Sequence, residues 1–284
     1  MVKIISDSTS DLSKELLERY DISILPLHVL LGEKDYLDGK NITPDEIFAW
    51  SDAEKTTPKT SAPSVEEAVE LMKPYLEKGF EIVSFSISES MSASGNVMRL
   101  AAEELDAVDR VHVIDSANLS TGIGLLVVEA AQMAKEGKSA SEIVAQIEAY
   151  KPRVRASFVV DTLVYLHRGG RCSGLAAMAG SVLKLHPRIA VADGKMDAGK
   201  KYRGNLAHVI MAYVRDMEED LKKAKPDRVF ITHSGCDRQI VQDVTEYLQS
   251  LGVFTEILET RAGGVVSSHC GPGTLGVLFI AGEA

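Results

Sequence analysis

Hydroxyl side chains cluster at the ends of the predicted strands of this 284-residue chain. One group follows the first strand (6–10), a second follows the third strand (88–94), and Asp115-Ser116 follows the fourth. Because parallel strands bring their carboxyl ends to one edge of a sheet, these hydroxyls would line a single ligand crevice. Hydroxyls and the free N–H groups of a helix N-terminus suit an anionic group. The pattern therefore predicts an anion-binding site at this edge of the sheet.

Helix capping is the competing explanation for these residues, because Ser and Asp are preferred N-caps. Ser10, Ser94 and Ser116 fit a capping role by their places in the sequence. Ser92 fits a position that faces the crevice, because a neighbouring serine can cap the following helix. The sequence thus separates one candidate ligand-binding serine from three candidate caps.

Two further segments combine polar side chains with rigid turns. Thr60 and Ser61 lie in a hydroxyl-rich segment (56–64) that contains two prolines and is typical of a turn-rich linker or a binding loop. His269 follows apolar residues and precedes a Gly-Pro-Gly turn. A histidine in such a place, like His233 after the apolar run that precedes it, is either a hydrogen-bonded core residue or part of a site.

The sequence lacks the signatures of the common enzyme classes. It has no Walker A motif, no H-E-x-x-H and no G-x-S-x-G elbow. Residues 271–276 match G-x-G-x-x-G by letter, but a strand is predicted after them, where a dinucleotide site needs a helix. The cysteines form no C-x-x-C pair, so neither a metal site nor a disulfide framework is predicted. They are Cys172, Cys236 and Cys270.

Charge is unevenly distributed along the chain. The 31 Lys and Arg against 41 Asp and Glu give a net charge of −10. Nucleic acid is therefore a poor candidate partner, because its binding depends on phosphate neutralisation. Residues 151–203 nevertheless hold eleven Lys or Arg and three Asp, a local charge of +8, so the remainder carries −18. Such a segment suits a phosphate or an acidic partner surface, or it pairs with acidic residues of the other half.

Composition and length indicate a globular protein. The chain is 45% hydrophobic and 25% charged, and its length predicts about two domains. The N-terminus lacks the apolar run of a signal peptide, and no apolar stretch approaches the 18 residues that predict a membrane-spanning helix. With its unpaired cysteines, the sequence predicts a cytoplasmic protein without a transmembrane segment.

The first half of the chain alternates β-branched runs with helical patterns, which predicts a parallel sheet with crossover helices. Strands are predicted at 2–5, 22–30, 81–87 and 110–114, and helices at 12–20, 94–105, 119–136 and 139–150. Pro26 within the second run predicts an edge position for it. Residues 32–65 are rich in Gly, Pro, Thr and Asp and predict an irregular excursion.

The pattern changes after Lys151-Pro152. Strands are predicted at 157–160, 228–232, 254–258 and 275–280, helices at 162–167, 174–185, 205–224 and 238–251, and a hairpin turning at Asp193-Gly194. The predicted fold class is α/β. It comprises an N-terminal domain (1–153) with a Rossmann-like parallel sheet and a C-terminal α+β domain (154–284).

Eight segments of this chain, in this order, resemble the DegV family of bacterial fatty-acid-binding proteins. They are ISDSTSDL (5–12), LPL (25–27), YLDG (36–39), KTSAPS (59–64), ISESMS (87–92), IDS (114–116), LVYLHRGGR (163–171) and HCGPG (269–273). Each segment is short, but together they extend over nearly the whole chain.

The resemblance implies a protein that holds one long-chain fatty acid between its two domains and has no cofactor or enzyme activity of its own. It implies that a separate ATP-binding fatty acid kinase subunit phosphorylates the bound carboxylate for phospholipid synthesis. By motif, Thr60, Ser61 and Ser92 would hold the carboxylate with His269 beside it. Two basic residues would lie near the phosphate and the partner, namely Arg171 and Arg203.

The sequence departs from the family pattern in two places next to these residues. Ala93 stands where the family has glycine in Ser-Gly-Thr, and Cys270 stands where it has threonine in His-Thr-Gly-Pro-Gly. The first change restricts the backbone beside the head group, and the second removes a hydroxyl from it. The apolar helices predicted at 174–185 and 123–134 would be tunnel walls or ordinary core.

Two other functions remain open at this point. A self-sufficient hydrolase would use Ser92 with His269, but it also needs a group that orients the histidine and an oxyanion hole. A kinase-like subunit for a small polyol would form a covalent adduct at His269 or His233.

Overall fold

The computed structural model describes residues 1–173 and 185–283. Its strands are β1 (Val2–Asp7), β2 (Ser23–Leu25), β3 (His28–Leu31), β4 (Lys34–Leu37), β5 (Lys59–Ser61), β6 (Glu81–Ser86), β7 (Val111–Asp115), β8 (Val154–Val159), β9 (Cys172–Ser173), β10 (Leu185–Ala192), β11 (Lys195–Arg203), β12 (Ala224–His233), β13 (Glu256–Arg261) and β14 (Leu275–Ala281). Its helices are α1 (Lys14–Tyr20), α2 (Pro44–Glu54), α3 (Val65–Glu77), α4 (Ser94–Glu104), α5 (Thr121–Lys135), α6 (Ala140–Tyr150), α7 (Val164–Gly169), α8 (Leu206–Arg215), α9 (Glu218–Lys222), α10 (Arg238–Ser250) and α11 (Gly264–Cys270).

The first half forms a parallel sheet in the order β2-β1-β6-β7. Successive side chains of a strand point to opposite faces, so neighbouring residues enter different cores. Ile5 packs with α3 and α4, whereas Ile4 packs with α5 on the other face. Helices therefore cover both faces, which confirms the predicted α/β class. The single strand predicted at 22–30 was wrong: β2 lies at an edge of this sheet, whereas β3 is the central strand of a separate three-stranded sheet.

The second half forms a mixed sheet whose described strands run in the order β13-β12-β14-β8-β10-β11-β9. One face carries α8 and α10, which pack around the buried Tyr213. The other face packs against α5 of the first half through Phe158, Phe230 and Leu278. Helix α5 thus lies between two sheets, and every residue from Thr121 to Ala131 is buried. Since a helix buried on all sides is apolar all round, this explains the segment 123–134 as core.

The prediction of an irregular segment without secondary structure at 32–65 was wrong. This region contains a small antiparallel sheet, β4-β3-β5, and the helix α2. The strands have only three or four residues, too few for a periodic pattern in the sequence. Helix α2 begins with a capping box at Thr43 and Glu46 and with Pro44 in its first turn, a local signal that the composition obscured.

Two helices also differ from the sequence prediction. Helix α3 was not predicted, although Ser64 and Glu67 form a capping box at its start, because Pro74 inside it interrupts the helical pattern. The prediction of one long helix at 205–224 was wrong, because a turn at residues 216–217 separates α8 from α9. At this turn, the Asp216 carboxylate accepts hydrogen bonds from Lys200 and from Tyr202 of β11.

The hairpin of β10 and β11 is confirmed, with both turn residues in the left-handed region (Asp193 φ 48°, Gly194 φ 75°). The helix predicted at 174–185 falls outside the described residues up to 184, and Leu185 begins β10. The division into 1–153 and 154–284 stays a prediction. In the described chain, strands before Val154 form the parallel and three-stranded sheets, and later strands form the mixed sheet.

Candidate functional site

A cavity of about 180 Å³ lies between the two halves. It is lined in part by Leu119, which precedes the start of α5. Its polar lining comes from both halves. Thr60, Ser61 and Ser92 contribute from the first half, and Arg171 and His269 contribute from the second. The rest of the wall is largely apolar and includes Leu27, Ile87, Met91, Leu119, Met196 and Val266.

A polar contact between the two halves inside the cavity joins Thr60 to His269. The Oγ1 atom of Thr60 lies 2.8 Å from Nε2 of His269, although 209 residues separate them in sequence. Pairing of β5 with β3, in which Thr60 opposes Val29, fixes the threonine. Helix α11 packs against both strands and delivers the histidine. The site is therefore assembled by the packing of α11 on the three-stranded sheet.

His269 has unused hydrogen-bonding capacity. Its Nδ1 is buried and has no hydrogen-bond partner among the residues that the structure describes. This nitrogen faces Gly169 at the end of α7, where a Cβ atom would collide with it. Burial, and secondarily the Arg171 guanidinium, lowers the pKa of His269 to about 4. The imidazole is therefore neutral at pH 7.

The other two residues predicted to bind the carboxylate, Ser61 and Ser92, lie towards the mouth of the cavity. Ser61 follows Thr60 on β5 and is exposed. The hydroxyl of Ser92 accepts a hydrogen bond from the Ser94 amide (3.3 Å) at the start of α4. Ala93 is the N-cap residue of that helix and is exposed beside Ser92. The polar end of the cavity therefore opens to solvent, while the apolar wall extends inwards.

The serines predicted to cap helices do not do so, and two neighbouring serines have a different role. Ser10, Ser94 and Ser116 do not cap helices, because the N-caps of α1, α4 and α5 are other residues. The hydroxyls of Ser88 and Ser90 instead donate to the Gly194 carbonyl at the tip of the β10–β11 hairpin. This contact joins the two halves beside the cavity. The sequence showed no sign of the contact, because the contact depends on tertiary packing alone.

The two predicted basic residues lie in different places. Arg171 lines the cavity mouth, is exposed, and donates from Nη1 to the Gly169 carbonyl (2.6 Å). Arg203 lies at the end of β11 opposite Leu185 and does not line this cavity. In the described part of the chain, neither forms an ion pair with another residue. Their roles, like those of the hydroxyl residues, stay predictions.

Cys270 lines the inner wall, where burial raises the pKa of its thiol. With Leu119 and Val266 it separates the cavity from a second, largely apolar one of about 20 Å³. Over residues 1–173 and 185–283, no group of three or more His, Cys, Asp or Glu is arranged to hold a metal ion. No helix in these ranges is long and apolar enough to cross a membrane.

Comparison with known proteins identifies the family. The family model described as "uncharacterised protein, DegV family" matches residues 1–282. A DegV domain-containing protein of Clostridium perfringens, CPE1310, is 32% identical over 279 residues, which cover 98% of both chains. A DegV family protein from Thermus thermophilus, solved for its fatty acid binding, has 31% identity and a TM-score of 0.90 over 99% of each chain. A stearic-acid-binding protein from Eubacterium ventriosum has 31% identity and a TM-score of 0.85 over 99% of this chain and 98% of that one. The chain belongs to the DegV family.

Proposed function

We propose that this chain binds one long-chain fatty acid in the cavity between its two halves. The carboxylate would lie at Thr60, Ser61, Ser92 and His269, and the tail would run inwards along the apolar wall. One observation carries the proposal: the hydroxyls of Thr60, Ser61 and Ser92 and the imidazole of His269 stand together at the open end of an apolar cavity. The fatty acid binding of the Thermus thermophilus and Eubacterium ventriosum proteins supports it.

The head-group chemistry suits a carboxylate that must react later. A neutral His269 that donates from Nε2 to the Thr60 oxygen leaves the Thr60 hydroxyl hydrogen for the ligand. Hydroxyl donors hold a carboxylate more weakly than a bidentate arginine does. Because a strong ion pair would stabilise the ground state, a carboxylate held by hydroxyls, with Arg171 left for the phosphate, favours transfer of a phosphoryl group to the acid.

Most of the affinity must then come from the tail. At about 0.8 kcal/mol per buried methylene, about 15 methylenes contribute ~12 kcal/mol before the costs of association. The cavity of about 180 Å³ is smaller than the ~300 Å³ at the lower end of ordinary ligand sites. The second cavity adds only about 20 Å³, so the proposal requires the wall of Leu119, Val266 and Cys270 to move and open further space for the tail.

We also propose that the protein presents the carboxylate to a separate ATP-binding kinase subunit, which forms an acyl phosphate for phospholipid synthesis. In this role the chain has no enzyme activity of its own. The exposed mouth and Arg171 support the proposal, as does the local charge of +8 over 151–203. Arg203 would contact the kinase from outside the cavity. The cytoplasmic location stays a prediction of the sequence.

The geometry gives little support to a hydrolase that uses Ser92 and His269. The hydroxyl that contacts the His269 ring belongs to Thr60, and Nδ1 has no orienting carboxylate among the described residues. A histidine with a pKa of about 4 is also a weak general base at neutral pH. Assays with short and long acyl esters test this directly. Turnover that disappears in Ser92→Ala would support the hydrolase.

Native mass spectrometry of the purified protein, followed by solvent extraction and lipid analysis, tests the binding proposal. We expect a co-purifying fatty acid of about 14 to 18 carbons that unfolding releases. A protein that purifies without lipid and takes up no added fatty acid would contradict the proposal.

The kinase proposal needs a separate test, with Arg171→Glu and Arg203→Glu. We expect both variants to lose phosphorylation of the bound acid in the presence of a DegV-coupled fatty acid kinase while they keep lipid affinity. Arg215→Glu, at an exposed arginine of α8 outside the basic segment, is the matched control. Loss of lipid affinity with intact phosphorylation would place both arginines in the pocket instead.

A further inference from the structure

Two buried carboxylates of the first half contact the helix that carries His269. Asp11 Oδ1 accepts a hydrogen bond from the Gly263 amide (2.8 Å), and Asp38 Oδ1 accepts one from the Gly264 amide (2.6 Å). Gly263 is the N-cap residue of α11 and offers no side chain for this task. The N-terminal amides of α11 are thus satisfied by acidic residues more than 200 positions away in sequence.

Both aspartates are themselves held in place. Ser8 donates to Asp38 Oδ2 (2.8 Å), and Ser120 donates to Asp11 Oδ2 (2.5 Å). The Asp38 amide in turn donates to the Leu27 carbonyl (2.9 Å), and Leu27 lines the cavity. Side chains held on both oxygens have little freedom to move, so they define where α11 begins.

The two halves come close together at the start of α11 because the first residue of this helix is a glycine. A Cβ atom at Gly264 would lie 2.9 Å from Ile47 Cδ1 and 3.0 Å from Asp38 Oδ1. Any side chain at this position would push α11 away from the small sheet. The helix has only two turns, so a shift at Gly264 displaces His269 by a similar amount.

We propose that Asp38 and Asp11 are positioning residues, which fix the imidazole of His269 against Thr60 through the N-terminus of α11. Both aspartates lie in segments that resemble the family, 5–12 and 36–39, but the binding of a carboxylate gives them no direct role. Neither lines the cavity. The inference rests on the proposed function only for its effect on fatty acid affinity.

The anchoring does not depend on full ionisation of the carboxyls. Burial raises the pKa of both, and mutual repulsion adds to this for Asp11. In either protonation state Oδ1 remains an acceptor for the amide, because the serine hydroxyl on Oδ2 can donate or accept. Asparagine therefore imitates the anchor, whereas alanine removes it.

The test compares Asp38→Ala with Asp38→Asn and reads the pKa of His269 by NMR in the absence of lipid. In Asp38→Ala we expect the ring to become hydrated and its pKa to rise from about 4 by at least one unit, and in Asp38→Asn to stay near the original value. Ser8→Ala, a milder change that keeps Asp38, should shift it in the same direction by less. Asp52→Ala, at an exposed acid of α2, is the matched control.

Fatty acid dissociation is the second readout. We expect it to be about tenfold faster in Asp38→Ala and within threefold of the original rate in Asp38→Asn. A His269 pKa unchanged in both Asp38→Ala and Ser8→Ala would overturn the positioning role. If the unaltered protein bound no fatty acid, the proposed function would fail, and the NMR measurement would still decide the anchoring.

Discussion

Of the spaces between the two halves, two lie at opposite ends of α5 and use their polar atoms differently. The space at the C-terminal end, called the charged groove, is lined by Glu129, Gln132, Lys225 and Arg228 among others and encloses about 600 Å³. The cavity at the N-terminal end encloses about 180 Å³. By volume alone, the charged groove would be the better candidate site.

Hydrogen bonding reverses that ranking. In the charged groove, the Glu129 carboxylate already accepts from Arg228 Nη1 (2.7 Å) and Lys225 Nζ (3.2 Å), and Gln132 accepts from Arg228 Nη2 (2.9 Å). In the cavity, by contrast, Arg171 forms no ion pair within the described ranges, and the wall around it is largely apolar. An unpaired charge beside an apolar wall therefore identifies a binding site better than volume does, because paired charges hold the fold together and leave little for a ligand.

The largest effect should come from the charged groove and should concern stability. Arg228→Met leaves the buried Glu129 with only the partly exposed Lys225, so we expect the free energy of unfolding to fall by about 3 kcal/mol in urea titrations. Arg19→Met, which removes an exposed ion pair with Glu256, is the control and should cost less than 1 kcal/mol. Fatty acid affinity of the folded Arg228→Met protein should stay within threefold. A much weaker affinity would break the separation of the two spaces.

The next effect should come from the cavity and should concern binding. Thr60→Val keeps the shape but removes the hydroxyl, so we expect fatty acid affinity to fall by about 2 kcal/mol, roughly 30-fold. Thr60→Ser keeps the hydroxyl and should bind nearly as well. Displacement of a fluorescent fatty acid measures both. Equal losses in the two variants would show that packing, not hydrogen bonding, is what Thr60 contributes.

A smaller effect should appear in the pH dependence of stability. His269 has a pKa of about 4 when folded and about 6.5 when unfolded, so the unfolded chain binds more protons between these values. Its contribution is therefore complete above pH 6.5 and is lost as the pH falls towards 4. Between pH 7 and about 5.2 we expect the protein to lose about 1.5 kcal/mol more than His269→Gln does. Parallel pH profiles would mean that the ring is hydrated.

The smallest effect should concern the contact of the β10–β11 hairpin with the first half. The double variant Ser88→Ala/Ser90→Ala removes both donors to the Gly194 carbonyl, so we expect fatty acid to dissociate about threefold faster, corresponding to ~0.7 kcal/mol. Stopped-flow release into lipid vesicles measures the rate. Ser141→Ala, at an exposed serine of α6, is the control. An unchanged rate would show that the hairpin does not limit release.

Local pattern was sufficient to predict the parallel sheet, because β1, β6 and β7 are apolar runs that end in polar residues. It was also sufficient to predict Ser92 at the carboxyl edge of that sheet, since topology brings strand ends together. The contact between Thr60 and His269 was beyond such reasoning, because 209 residues separate them and only tertiary packing joins β5 to α11. The family resemblance grouped them without giving their geometry.

The same limit explains the remaining differences. Asp11 and Asp38 lie in turns, where acidic residues are common for local reasons, so their contacts with α11 left no mark in the sequence pattern. Arg203 was grouped with Arg171 by charge and motif, yet the structure separates them because β11 carries Arg203 away from the cavity. A count of charges along the sequence does not show where a strand places each charged residue.

Helix α5 has a consequence for how the protein unfolds. Since Thr121 to Ala131 are buried between both sheets, the apolar face towards the mixed sheet would be exposed to water if the second half opened. The two halves therefore share one cooperative unit, and heat or urea should unfold them in a single transition despite their separate sheets. A fragment of residues 1–153 would keep its parallel sheet but expose this face, which makes aggregation its expected fate.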